Sequence, residues 1–135
     1  MKNAGKFLMF VILPLVFMSC GNGLIGQLKA NMEMIKSQCP QDQGNGVILV
    51  DANFYEDEKV LEYISSIEGR DSIDDATVER MREAMIEALS SDVSAFEKFS
   101  VKTIMNTYDY RFRYIYTDIE GNSLCKIEIT KNDLR

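Results

Sequence analysis

Leu24, Leu28, Met32, Ile35 and Cys39 return at three- and four-residue spacings, which lays them along one face of a helix. Pro40 ends that helix, and Gln41 to Asn45 read as a loop. Residues 46–55 then predict a strand, with Ile48, Val50, Ala52 and Phe54 on one face. Glu56-Asp57-Glu58 makes a polar turn, and Lys59 to Ile67 predicts the returning strand of a hairpin. Leu61, Tyr63 and Ile67 share one side of that strand, and Val60 and Ile64 share the other. Glu68 to Asp75 is a charged loop in which Ser72 and Asp75 have the spacing of a capping box. Val78, Met81, Met85, Ala88 and Leu89 line the next helix, opposite Glu79, Arg80, Arg82, Glu83 and Glu87. Ser90-Ser91-Asp92 caps a third helix, whose apolar face starts with Val93, Phe96 and Phe99 and which runs as far as Met105. Tyr108, Tyr110, Phe112, Tyr114 and Tyr116 alternate with Asp109, Arg111, Arg113, Ile115 and Thr117, the strict period of two of a half-buried strand. Asp118 to Asn122, holding Gly121, predicts a hairpin turn. Ser123 to Thr130 is the partner strand, with Cys125, Ile127 and Ile129 on one face, and Lys131 to Arg135 is a polar tail.

The order α-ββ-αα-ββ predicts an α+β fold. Its expected form is a two-layer, four-stranded antiparallel sheet made from two β-hairpins, with about three helices on one face, because that arrangement buries every apolar stripe. In layout this is similar to small exported α+β domains such as the β-lactamase-inhibitor-like fold, an analogy carried by element order and by no motif.

The N-terminus has a different pattern. Lys2 and Lys6 precede an apolar stretch from Phe7 to Met18. Its dozen or so residues suit a secretory signal, whereas a spanning helix needs roughly twenty. Val16-Phe17-Met18-Ser19-Cys20 closes it, with a small residue before the cysteine. This segment resembles a bacterial lipoprotein signal, which signal peptidase II cuts before a lipid-modified cysteine. The resemblance implies a signal peptide over residues 1–19, lipidation of Cys20, a short tether over 20–23 and a single domain over 24–135. It also implies a membrane partner through Cys20, since two or more acyl chains suffice for stable anchoring. Gly21 after that cysteine implies the outer membrane by likeness to Gram-negative lipoproteins; periplasmic and cell-surface placement both stay open. Ordinary secretion with Cys20 as a plain thiol and an uncleaved anchor are the alternatives, the second disfavoured by the short apolar run.

Composition narrows the chemistry. Without residues 1–19 the 135-residue chain keeps 116 residues, the size of one domain with one core. Lys2 and Lys6 lie in the removed segment, so the body carries −8 rather than the −6 of the whole chain. An acidic body suits neither nucleic acid nor a polybasic grip on anionic lipid. There is no histidine, which removes the commonest general base and metal ligand along with serine–histidine and cysteine–histidine nucleophiles. Glu56-Asp57-Glu58, Asp71 with Asp74 and Asp75, and Asp118 with Glu120 are acidic turns. None has calcium-loop spacing, and they read as solvated turns and caps. With Cys20 lipidated, Cys39 and Cys125 remain. In an oxidising compartment they either form a disulfide or stay as two buried thiols.

The aromatic row is the best candidate surface. Tyr108, Tyr110, Tyr114 and Tyr116 could stack on sugar rings or bind a partner, or else pack beneath the helices as core. In the second case Arg111 and Arg113 lie on the open sheet face beside Lys126 and Glu128, a mixed-charge surface able to dock a partner. The expectation is therefore a membrane-anchored, non-enzymatic interaction module for another protein or an envelope component. It has no catalytic residues, no metal and no cofactor. A small-ligand or glycan binder using the aromatic row is the alternative, and a carboxylate-based hydrolase comes last.

Overall fold

In a computed structural model that describes residues 23–91 and 101–135, the elements run in the order α1 (Leu24–Ser37), β1 (Gln41–Gly44), β2 (Val47–Tyr55), β3 (Val60–Ile67), α2 (Asp75–Ser90), α3 (Val101–Asn106), β4 (Arg111–Thr117), β5 (Ser123–Ile129) and a 3-10 turn (Lys131–Asp133). The signal segment, Cys20, and Val93, Phe96 and Phe99 at the expected start of the third helix lie outside the described residues. The strands form one sheet in the order β1-β2-β3-β4-β5, antiparallel throughout except for the parallel pair β3–β4. The fold is thus α+β with a mixed five-stranded sheet, and the expectation of four antiparallel strands is corrected on both counts.

Each difference has a local cause. The chain leaves β3 at one end of the sheet and passes through α2 and α3 over residues 68–110. It re-enters at the other end, which makes β4 parallel to β3. The 16 residues of α2 cover about 24 Å, enough to return along a whole strand. The extra strand comes from Gly44, Asn45 and Gly46, whose φ angles of 85°, 56° and 79° fold Gln41–Gly44 back onto Val47–Leu49. Gly46 is also held from outside the turn. Its carbonyl accepts the Glu68 N–H at 2.8 Å, and a Cβ there would sit 3.4 Å from the Glu68 Cβ.

A bulge changes the facing of β2. The register slips between Leu49 and Asp51, so Val47, Leu49, Ala52 and Phe54 face the helices while Ile48 and Val50 face away. Sequence alternation alone had placed Ile48 and Val50 with Ala52 and Phe54.

The core lies between one face of the sheet and the helices. Leu28, Met32 and Ile35 of α1, Met81, Met85 and Leu89 of α2, and Ile104 and Met105 of α3 pack on Leu61, Tyr63, Phe112, Tyr114, Tyr116, Ile127 and Ile129. Helix α2 begins at Asp74, whose carboxylate accepts the Thr77 N–H at 2.7 Å, two residues later than the Ser72 cap expected from sequence. In-register pairing of β3 and β4 stacks Tyr63 on Tyr114 with ring centroids 5.6 Å apart. Tyr110, Phe112, Tyr114 and Tyr116 are at most 3% exposed, so the aromatic row is core and offers no binding surface. Tyr108 is exposed but precedes β4 and stands apart from the row.

The C-terminal residues, expected as a polar tail, are tied down. Arg82 donates to the Glu128 carbonyl and to Asp133 Oδ1, both at 2.6 Å. Burial alone would raise the Asp133 carboxyl, but the Thr130 N–H and the Arg82 guanidinium hold it below its usual range. A carboxyl lowered by folding stabilises the protein above its unfolded pKa of about 3.9, and that contribution is lost as pH falls through the folded value.

Two outcomes are expected. Tyr114→Ala should cost about 3–5 kcal/mol in urea unfolding, as for other large-to-small core changes. Tyr114→Phe should be neutral or stabilising, because the buried Tyr114 hydroxyl has no hydrogen-bond partner among the described residues. Separately, the stability gap between the natural protein and Asp133→Asn should narrow as pH falls from 7 towards 3. A gap that stays constant would contradict the role given to Asp133.

Candidate functional site

The sheet has a second face. Among the described residues no helix packs on it, since the helices' buried apolar residues all join the cluster on the Tyr63–Tyr114 side. Strand alternation and register arrange this uncovered face in rows across the strands. Ile48 stands beside Ser66 and Thr117. Val50 and Asp51 stand beside Ile64, Ile115 and Lys126. Asn53, Glu62, Arg113 and Glu128 form the next row, and Tyr55, Val60 and Arg111 the last. One half is therefore apolar and small, the other charged.

Glu62 is the centre of the charged half. It is 6% exposed although no described helix packs over it. Its Oε1 accepts from Asn53 Nδ2 at 3.0 Å and from the Tyr55 hydroxyl at 3.3 Å. Its Oε2 lies 3.1 Å from Arg113 Nε, an ion pair rather than an aligned hydrogen bond. Arg113 also lies 3.8 Å from Glu128 and 3.9 Å from Glu58, and its guanidinium sits 5.7 Å from the centre of the Tyr55 ring. Arg111 reaches Glu128 at 3.8 Å. Burial raises the Tyr55 hydroxyl pKa, with the Glu62 charge and hydrogen bond adding to it, so this phenol stays protonated and donating at neutral pH.

This geometry suits docking better than chemistry. Both Glu62 oxygens are engaged, so it is not poised as a base. Arg113 is oriented on three sides before any partner arrives. Next to this rigid centre, Ile48 and Val50 are 38% and 43% exposed, apolar area on a face that no described helix covers. Arg111 and Arg113 are thus where alternation placed them. Glu62, Asn53 and Tyr55, which complete the cluster, were missed, and only the pairing of β2, β3 and β4 brings them to Arg113.

The two cysteines do not meet. Both are free thiols, so the disulfide alternative gives way, but they are half-buried where the other reading expected buried thiols. Cys39 precedes β1, at one edge of the sheet, and Cys125 lies in β5 at the other. Three or four strand spacings separate them, about 14–19 Å, where a disulfide needs Cα atoms within about 7 Å. Burial raises the pKa of both thiols, that of Cys125 to about 11. A groove also runs between α1 and the free edge of β2, lined by Met32, Lys36 and Phe54 among others. There Lys36 Nζ donates to Asp51 and Asn53, each at 2.8 Å. No helix among the described residues is long and apolar enough to cross a membrane.

No protein-family profile and no curated protein sequence matches the chain. Solved structures do share its fold. The pilotin of the Vibrio vulnificus type 2 secretion system superposes with a TM-score of 0.58 at 9% identity, covering 83% of this chain and 92% of that one. The type II secretion system pilotin of Vibrio cholerae gives 0.50 at 8% identity, covering 78% and 86%. A Pseudomonas aeruginosa protein described as secreted gives 0.51 at 11% identity, covering 86% and 100%. At these identities the likeness is one of fold, and the fold is one that small exported proteins use.

Glu62→Ala should destabilise the protein by about 2 kcal/mol, because it leaves Arg113, Asn53 and Tyr55 without their common acceptor. Thermal melts with and without reductant should coincide, and a thiol reagent should label both Cys39 and Cys125 without prior reduction.

Proposed function

We propose that this protein is a lipid-anchored, non-enzymatic interaction module of the bacterial envelope, which docks another protein through the uncovered face of its sheet. The observation that carries the reading is the uncovered face itself. A pre-set Arg113–Glu62 cluster stands there beside exposed Ile48 and Val50, with a complete core on the opposite face. Apolar area beside an oriented arginine is the composition of a protein-binding patch. The lipoprotein-like signal ending at Cys20 supports placement at a membrane, and Gly21 favours the outer one. The shared fold with type II secretion pilotins supports an accessory role in an envelope protein assembly. The aromatic row, which a glycan binder would have used, is core. Fully engaged Glu62 and scattered acidic turns do not favour a hydrolase.

The test is crosslinking in intact cells followed by recovery of the full-length protein, its Cys20→Ala form and an Ile48→Glu/Val50→Glu form. One protein partner should come down with the natural chain and be lost with Ile48→Glu/Val50→Glu, whose melting temperature should stay close to that of the natural protein because both sites are surface positions. Cys20→Ala should leave the membrane fraction. Turnover of an envelope substrate by purified protein, or a partner retained by Ile48→Glu/Val50→Glu, would overturn the reading.

A further inference from the structure

Helix α1 fixes which end of the domain can approach a membrane. Lys36, in its last turn, reaches Asp51 and Asn53 in the middle of β2, and Met32 meets Tyr63, the neighbour of Ala52. Lys29 lines the same groove as Phe54 and Tyr55. The helix therefore runs antiparallel to β2, and its N-terminus points past Tyr55. From Lys29 to Gly23 is a further 9 Å or so at about 1.5 Å per residue, which brings Gly23 level with the β2–β3 turn at residues 56–59 or beyond it. From Gly23 to Cys20 is only three residues, a reach of at most about 10 Å.

We infer that the domain stands on the membrane on its β2–β3 turn end, with the strands rising away from the bilayer and the uncovered face turned sideways. This rests on the reading of Cys20 as the lipidated residue. The opposite end, with the 44–46 turn, the loop after β3 and the 118–122 turn, is then the far end, about 25–30 Å away along the strands.

Charge holds this end off an anionic surface. Glu56, Asp57 and Glu58 are all exposed at the near end, beside Lys59, while Asp109 there is paired with Lys131 at 3.3 Å. An anionic headgroup layer repels this acidic turn over a Debye length of about 8 Å, so the tether and not the protein surface makes the lipid contact. The rows of the uncovered face then stack outward from the membrane. Tyr55, Val60 and Arg111 lie nearest the headgroups, Arg113 and Glu62 above them, and Ile48 with Ser66 and Thr117 highest. The partner this suits is a protein held in the same membrane, whose water-exposed part rises alongside and meets the face laterally.

The experiment uses the full-length lipidated protein in phosphatidylcholine vesicles doped with a headgroup-linked nitroxide lipid. A fluorophore is placed by Asp57→Cys or by Glu120→Cys, each in a Cys39→Ser/Cys125→Ser background whose circular dichroism matches that of the natural protein. The expected result is severalfold stronger quenching at position 57 than at 120. Adding anionic lipid at low salt should weaken quenching at 57. Equal quenching, which means a domain lying flat, or stronger quenching at 120 would overturn the orientation while leaving the anchor intact. Loss of vesicle binding with Cys20→Ala alone attributes attachment to the lipid. Failure of the full-length protein to bind vesicles at all would overturn the lipidation reading and the orientation with it.

Discussion

The parallel, in-register pairing of β3 with β4 is the constraint on which the rest of this structure depends. These two strands form the middle of the sheet, and their register puts Leu61 with Phe112, Tyr63 with Tyr114 and Ser65 with Tyr116 on one face. On the other it puts Glu62 with Arg113 and Ile64 with Ile115. The first set is the aromatic layer that the helices cover, and the second is the backbone of the uncovered face. A slip of one residue would turn Tyr114 out to water if β4 moved, or Glu62 towards the methionines of the helices if β3 moved. The cost of burying an unpaired carboxylate makes that alternative prohibitive, so the charged and aromatic residues together select a single register. The crossover through α2 and α3 makes this pairing reachable, and the stacked rings stabilise it once made.

What could be read from the sequence follows from how far apart the interacting residues lie along the chain. Helices α1 and α2 and strands β3, β4 and β5 announce themselves through local periodicity, and each is present near its expected bounds. The facing of Arg111 and Arg113 was equally legible, because strict alternation around Tyr110, Phe112, Tyr114 and Tyr116 leaves them one side. Other features depended on partners that periodicity does not name. Strand β1 is four polar and glycine residues with no apolar alternation, and it exists because three consecutive left-handed residues return it onto Val47. Gly44-Asn45-Gly46 was the available signal, an asparagine–glycine turn between two segments able to pair. The bulge at Val50 reversed the facing of Ile48 and Val50, since alternation counts residues and cannot see one inserted out of register. Direction failed for the same reason. Two hairpins in sequence do not say which of their strands will meet, and here the helical crossover decides it.

The Glu62–Arg113 cluster has a physical cost that bears on what it is for. Charges this poorly exposed lose much of their hydration, and a buried ion pair often stabilises no better than apolar side chains of similar volume. Here the loss is offset by Asn53 and Tyr55, which satisfy the second Glu62 oxygen. The result is neutral bookkeeping for stability and a gain in order, because a guanidinium flanked by Glu58, Glu62, Glu128 and the Tyr55 ring has little rotamer freedom left to lose on binding. A binding group that is already ordered avoids the entropic cost of being ordered by its partner. The apolar half around Ile48 and Val50 supplies the complementary element, area whose removal from water drives association without specifying direction. Arg113 is therefore suited to set the orientation of a bound partner, and Ile48 and Val50 to hold it.

The comparison with small exported proteins gains its meaning from this division between the two faces. At 8–11% identity, a shared fold requires only that the helix-facing rows stay apolar and of suitable volume, a condition many sequences meet. Nothing in that condition constrains the opposite face, where Tyr55, Arg111, Arg113, Ile48 and Val50 stand clear of the core. On the proposed reading, the partner is chosen by residues that the fold itself does not fix. The two faces share their strands: on β3 Tyr63 packs inward and Glu62 outward on adjacent positions, as Tyr114 and Arg113 do on β4. A change that disturbs either strand acts on stability and on the uncovered face together, whereas changes at Ile48, Val50 or Arg111 act on that face alone. That asymmetry lets a loss of binding be told apart from a loss of fold.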